Sequence, residues 1–81
     1  MREFIERVIR TLDNSITAKQ ADDAFYRDIV NRINAGEIPE PPNYKSMMLA
    51  ARENFLELQR TQAFRQYYHD QFLQPYLDAE Q

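Results

Sequence analysis

The sequence predicts an all-α protein in which two N-terminal helices pack on one long C-terminal helix. Apolar residues recur three and four positions apart through most of the chain, which is the spacing of a helix face. Three of the four prolines lie within residues 37–43, and no glycine or proline occurs between Tyr44 and Gln74. We therefore expect a single domain, residues 1–81, with helices over about 2–13, 17–35 and 44–73.

The first helix is predicted by a stripe of apolar residues at helical spacing: Phe4, Ile5, Val8, Ile9 and Leu12. The cluster Asp13-Asn14-Ser15 follows this stripe directly. Short polar side chains of this kind hydrogen-bond their own backbone and favour turns. The first helix is therefore expected to end at this cluster.

The second helix is predicted to start at Thr17, because Thr17 and Gln20 have the spacing of a capping box. Its apolar stripe contains Ala18, Ala21, Phe25, Ile29 and Ile33. Gly36 is expected to stop this helix by taking the left-handed conformation that other residues avoid.

The proline-rich segment 37–43 is expected to be a stiff, extended linker, because Pro39, Pro41 and Pro42 each remove an amide donor. A straight helix over 44–73 would be roughly 45 Å long. A compact domain of this length has a radius of gyration near 12 Å. The third helix is thus expected either to bend near Thr61 or to be covered along its length by something else.

The third helix carries more apolar surface than one partner hairpin can cover. One face is predicted to seat the first two helices and contains Met47, Met48, Ala51, Phe55 and Leu58. Other apolar and aromatic residues lie at different angles around the same helix. These are predicted to form an interface with a second copy or another protein, and they are Leu49, Leu56, Ala63, Phe64, Tyr67, Tyr68 and Phe72.

Composition and spacing exclude most kinds of chemistry. The chain has no cysteine, which removes disulfides, thiolate nucleophiles and sulfur-based zinc sites. The single histidine, His69, has no acidic or imidazole residue three or four positions away, so a helical metal pair is not expected. Ser15 and Ser46 fit helix capping. No catalytic residue, metal site or cofactor is therefore predicted.

Charge and targeting signals give a similar picture. The net charge of −3 argues against nonspecific attraction to nucleic acid or to an anionic membrane. Charged residues interrupt every apolar run in the first twelve positions, so neither a signal peptide nor a membrane span fits them. A cytoplasmic location without membrane attachment is expected.

These observations predict a non-enzymatic helical interaction module that acts as an adaptor, inhibitor or assembly factor. It is expected to bind protein partners and to form a homodimer or a higher homo-oligomer. The alternative is a regulator that binds nucleic acid or a nucleotide, with rings stacking on bases and guanidinium groups on phosphates. The contact residues of that alternative would be Arg52, Arg60, Arg65, Tyr67 and Tyr68.

Overall fold

The computed structural model describes residues 1–80 and contains two long antiparallel helices. Helix α1 spans Arg2–Asn34 and helix α2 spans Tyr44–Tyr68, followed by a π-helical turn, His69–Leu73, and a short helix α3, Gln74–Ala79. The all-α class is confirmed, and no strand occurs within the described residues. The predicted count of three long helices is wrong, because there are two.

The two helices predicted over 2–13 and 17–35 are one continuous helix, so the turn expected at Asp13-Asn14-Ser15 is wrong. The carboxylate of Asp13 accepts hydrogen bonds from Nε of Arg65 at 2.9 Å and from Nη2 at 3.4 Å. A partner on α2 thus engages the side chain that would otherwise bond to its own backbone. The tertiary contact removes the reason for the turn.

The capping box predicted at Thr17 is also absent. The Thr17 hydroxyl donates to the backbone oxygen of Asp13 at 3.0 Å, one turn back along the same helix. The Ser15 hydroxyl accepts from Nζ of Lys19 at 3.0 Å. Hydroxyl groups that find such partners within a helix do not need to cap a new one.

The predicted stop at Gly36 is confirmed. Gly36 has φ +77°, which is the left-handed conformation. Its N–H donates to the oxygen of Ile33 at 3.1 Å, and the N–H of Glu37 donates to the oxygen of Arg32 at 2.9 Å. This pair of bonds is the Schellman motif, and it satisfies two carbonyl groups at the end of α1.

Helix α2 begins at Tyr44, as predicted, and is uninterrupted at Thr61. The irregularity lies further on, in the π turn, and the chain stays helical beyond the predicted end at 73. Pro75 is tolerated because it occupies the first turn of α3, where its missing N–H costs no intrahelical bond.

The contact between α1 and α2, which we call the seam, follows alternating steps of three and four residues. On α1 the seam residues are Ile5, Ile9, Leu12, Ile16, Lys19, Asp23, Tyr26, Val30 and Ile33. On α2 they are Tyr44, Met47, Ala51, Asn54, Leu58, Thr61, Arg65 and Tyr68. Such steps keep two helices in contact over their whole length. The sequence predicted that a long helix starting at Tyr44 would need to be covered along its length, and α1 provides that cover for α2.

Burial along the seam is sparse. Within residues 1–80 only Ile5, Ile9 and Leu58 are buried, at 4%, 6% and 7% exposure. Of the face predicted to seat the N-terminal helices, Met48 and Phe55 are exposed instead. The molecule measures 57 × 18 × 15 Å, with a radius of gyration of 17.9 Å, well above the value near 12 Å expected of a compact chain.

The apolar stripe predicted for the second helix is wrong at Phe25, because the side chain of Phe25 is exposed on α1. Ala18 and Ala21 of that stripe are exposed as well. No helix within residues 1–80 combines the length and the apolar character that crossing a membrane requires.

Candidate interaction surfaces

The predicted interface residues divide between two surfaces of α2. One group lies on the side of the helix turned away from α1, seven or four positions apart, and we call it the outer row of α2: Leu49, Leu56, Ala63 and Tyr67. All four side chains are exposed. The other group, which we call the flank group, starts beside the seam at Phe64 and includes the seam residue Tyr68 and Phe72 of the π turn.

The flank group forms a ladder of rings. The centroids of Phe64 and Tyr68 are 6.0 Å apart, and those of Tyr68 and Phe72 are 4.7 Å apart. Both separations are within the range in which tilted aromatic pairs attract each other. Phe64 also lies 6.4 Å from Tyr67, which connects the ladder to the outer row of α2.

The ladder continues into an open cleft of about 600 Å³ where the start of α1 meets the end of α2. We call it the terminal aromatic cleft, and it is lined by Met1, Phe4, Ile5, Tyr68, Gln71, Phe72, Pro75 and Tyr76. Its walls are almost entirely apolar. An ion pair between Arg2 and Glu80 connects the start of α1 to the residue that follows α3.

The π turn decides which side chains face this cleft. Regular steps would place Phe72 on the seam four residues after Tyr68, but the extra residue of the π turn brings Leu73 there instead. Leu73 is half-buried, whereas Phe72 is exposed on the cleft wall. π turns of this kind are frequent at functional sites.

Sequence reasoning missed six of the eight residues that line the cleft: Met1, Phe4, Ile5, Gln71, Pro75 and Tyr76. Phe4 was assigned to the buried stripe of the first helix, although its side chain is 58% exposed. The available signal was that Phe4 falls outside the steps of three and four that Ile5 and Ile9 begin. Pro75 and Tyr76 lie beyond the predicted end of the last helix.

The residues of the nucleic-acid alternative do not come together on one surface. Arg65 faces the seam and is bound to Asp13, so its guanidinium is not available to a phosphate. Tyr68 is half-buried, while Tyr67 points outward. Arg60 lies on the same face of α2 as Tyr67, roughly 10 Å along the helix, whereas Arg52 is fifteen residues from Tyr67.

His69 and Asp70 make a local contact at the start of the π turn. Nδ1 of His69 lies 3.1 Å from Oδ1 of Asp70, and Nε2 of Gln66 donates to the same oxygen at 2.9 Å. The hydrogen bond from His69, followed by that from Gln66, lowers the pKa of Asp70 below its ordinary value of 3.8. No group of three or more His, Cys, Asp or Glu side chains able to hold a metal ion occurs in residues 1–80.

A second groove, of about 370 Å³, lies near the loop end of the hairpin between α1 and α2. The guanidinium of Arg27 lies 5.8 Å from the centre of the Phe55 ring on its wall. Asp23 holds Arg27 in place through a contact of 2.7 Å. The groove is therefore partly occupied by a side chain of the same chain.

Comparison of the chain with protein-family models, with curated proteins and with solved structures gave no match.

Proposed function

We propose that this protein is a non-enzymatic helical module for protein–protein interaction, which acts as an adaptor, inhibitor or assembly factor and associates with a second copy of itself. The proposal concerns apolar helix surfaces, because these are the feature in which the hairpin departs most from an ordinary small domain.

The observation that carries the proposal is the exposed area. The chain exposes 6205 Å², whereas a compact monomer of 9.7 kDa is expected to expose about 5,100 Å². The difference of about 1,100 Å² is larger than the roughly 800 Å² that each partner buries in a standard interface. A second copy would therefore bring the exposed area back to the ordinary range.

The composition of that area also supports the proposal. Among residues 1–80, twelve large apolar or aromatic side chains are exposed, compared with three that are buried. Small domains with so few buried residues gain stability from oligomerisation, since the hydrophobic effect scales with the apolar area removed from water. Self-association would thus support the fold as well as the function.

The nucleic-acid alternative is not advanced. The engagement of Arg65 by Asp13 and the net charge of −3 both oppose a polyanion-binding surface.

Light scattering coupled to size exclusion tests the proposal over a dilution series from about 200 µM to about 1 µM, the range in which a micromolar dimer dissociates. We expect a mass of twice 9.7 kDa at the high end. Small-angle scattering of that species should give a longest dimension near 57 Å, because the hairpins pack side by side. A mass of one chain at every concentration would contradict the proposal.

A further inference from the structure

The outer row of α2 is apolar and lies on the side of the helix turned away from α1. Leu49 is 64% exposed, Leu56 is 38% exposed and Tyr67 is 56% exposed, and Ala63 is exposed as well. The row is about 27 Å long. From Leu49 to Ala63 it repeats every seven residues, which is the spacing with which one helix packs along another. A helix of a second chain therefore fits this row.

The charged residues beside the row complement each other when the row meets a copy of itself. Glu53 and Arg60 follow Leu49 and Leu56 by four residues each, so both lie on the same side of the row. Both are exposed, and neither belongs to an ion pair within residues 1–80. A two-fold axis that crosses the row at a right angle reverses the direction of the helix and leaves the two sides of the row in place. An antiparallel copy thus sets Glu53 opposite Arg60, twice.

The apolar residues are arranged about the same point. The midpoint of the charged pair lies within one residue of Leu56, and Leu56 is also the midpoint between Leu49 and Ala63. The antiparallel copy therefore sets Leu56 against Leu56 of the other protomer and Leu49 against Ala63. The small side chain of Ala63 leaves room for Leu49, and Tyr67 lies one turn further on to cover it. Such a contact is isologous, which is the commonest form in homodimers.

The charges also distinguish the two possible directions. In a parallel dimer, opposite sides of the row meet, and Arg60 would face Gln59, which has no charge. Asp70 continues the row seven residues after Ala63, and in a parallel dimer it would face its own copy. Like charges that meet across an interface oppose binding, so the antiparallel direction is favoured.

The exposed aromatic residues of α1 lack this symmetry. Phe4 and Phe25 lie on one exposed row of α1. The charged residues three positions inward from them, Arg7 and Asp22, lie on opposite sides of that row, so an antiparallel copy does not bring them together. The outer row of α2 complements itself in both charge and size, and this self-complementarity identifies its occupant as a second copy of the same chain.

We infer that a second copy docks antiparallel on the outer row of α2, with Leu56 at the two-fold axis and Glu53 of each protomer beside Arg60 of the other. This inference rests on the self-association proposed above, and it adds the surface of the contact, its direction and the residue at its centre.

The first test truncates one apolar residue of the row. Leu49→Ala removes a buried side chain from each half of the contact, and we expect the dissociation constant of the dimer to rise about 100-fold. Phe25→Ala is the matched control, since Phe25 is 61% exposed on α1. It should leave the constant within about threefold of the unmodified protein. Equal effects of the two substitutions, or a larger effect of Phe25→Ala, would overturn the assigned surface.

The second test uses the position of Leu56 at the axis. Leu56→Glu and Leu56→Lys each set two like charges against each other, and each variant alone should be monomeric throughout the dilution series. An equimolar mixture should form a heterodimer, because only a residue that faces its own copy can be rescued in this way. A mixture that stays monomeric would overturn the inference. Far-UV circular dichroism of both variants should match the unmodified chain, since the side chain is exposed.

The third test exchanges the flanking charges. Glu53→Arg alone and Arg60→Glu alone each set like charges opposite each other, and each should weaken the dimer about tenfold. The double variant restores both pairs and should recover most of the lost affinity. A parallel dimer would tolerate Arg60→Glu, because Arg60 would face Gln59, so that result would overturn the antiparallel direction.

The fourth test reports direction by crosslinking, because the chain has no cysteine of its own. A mixture of Leu49→Cys and Ala63→Cys chains should form a mixed disulfide much faster than either variant forms one with itself. In the antiparallel dimer each of these positions lies roughly 20 Å along the helix from its own copy. Preferential self-crosslinking of either variant would overturn the inference.

These outcomes separate the inference from the proposal beneath it. A dimer that survives both Leu49→Ala and Leu56→Glu would overturn the assigned surface and leave self-association standing. An unmodified protein that is monomeric throughout the dilution series would overturn both.

Discussion

Replacing Leu58 by alanine should cost far more stability than replacing Leu49 by alanine, although both leucines are on α2. Leu58 is 7% exposed and faces the seam, whereas Leu49 is 64% exposed on the outer row. Truncation of a buried leucine costs about 2–5 kcal/mol, with the lower values at sites that can close around the gap. A seam formed by only two helices can close readily, so we expect about 2–3 kcal/mol for Leu58→Ala.

The free energy lost in Leu58→Ala is a large fraction of the total free energy of unfolding. At roughly 0.05–0.15 kcal/mol per residue, a chain of this length has about 4–12 kcal/mol of unfolding free energy. Leu58→Ala should therefore lower the melting temperature by about 10–20 °C, whereas Leu49→Ala should change the free energy of unfolding of the monomer by less than about 0.5 kcal/mol.

Urea and thermal unfolding followed by far-UV circular dichroism measures both variants. Each should be run at two protein concentrations, because self-association adds a concentration-dependent contribution to apparent stability. Equal destabilisation by the two substitutions would show that the seam does not hold the hairpin together. Greater destabilisation by Leu49→Ala would show that the outer row of α2 is buried in the protein as it exists in solution.

Three further predictions concern particular backbone and charge features. Asn14→Pro should lower the free energy of unfolding by about 3 kcal/mol in a urea titration, since α1 is continuous at Asn14. An unchanged free energy would contradict a continuous helix and favour the turn predicted from sequence. Gly36→Ala should cost about 1 kcal/mol, because its φ of +77° strains any residue with a Cβ, although no heavy atom lies within 4 Å of the added carbon. In an NMR titration the pKa of Asp70 should lie below 3.8 and should rise in His69→Ala, and an unchanged pKa in the variant would contradict the assigned cause. Because the folded pKa is lowered, any stabilisation by the ionised Asp70 is present above the unfolded pKa and is lost as the pH falls through the folded pKa.

The end of α1 and the start of α2 could be predicted from the residues at those positions alone. Gly36 stops α1 because only glycine takes a left-handed conformation without strain, and this property acts within a few residues. The prolines between 37 and 43 exclude helix, so α2 begins at Tyr44. The exposure of Leu49, Leu56, Phe64 and Tyr67 also followed from sequence, because one face of a helix cannot contain them together with the seam.

The continuity of α1 depended on a contact that no local rule contains. Asp13 is bound by Arg65, which is 52 residues away in sequence. A cluster of short polar residues favours a turn only while those side chains lack better partners. The sequence shows the local preference, and the partner exists only once α2 lies alongside.

That continuity then fixed which residues face α2. A separate helix that started at Thr17 could pack against α2 with its most apolar face, which includes Ala18 and Phe25. A continuous helix must keep the phase set by Ile5 and Ile9, so Lys19 and Asp23 face α2 and Phe25 faces outward. The same constraint, together with the π turn at the far end, created the terminal aromatic cleft. The sequence by itself thus determined that the chain is helical and where its loop lies, and the packing of one long helix against the other decided which aromatic side chains remain exposed.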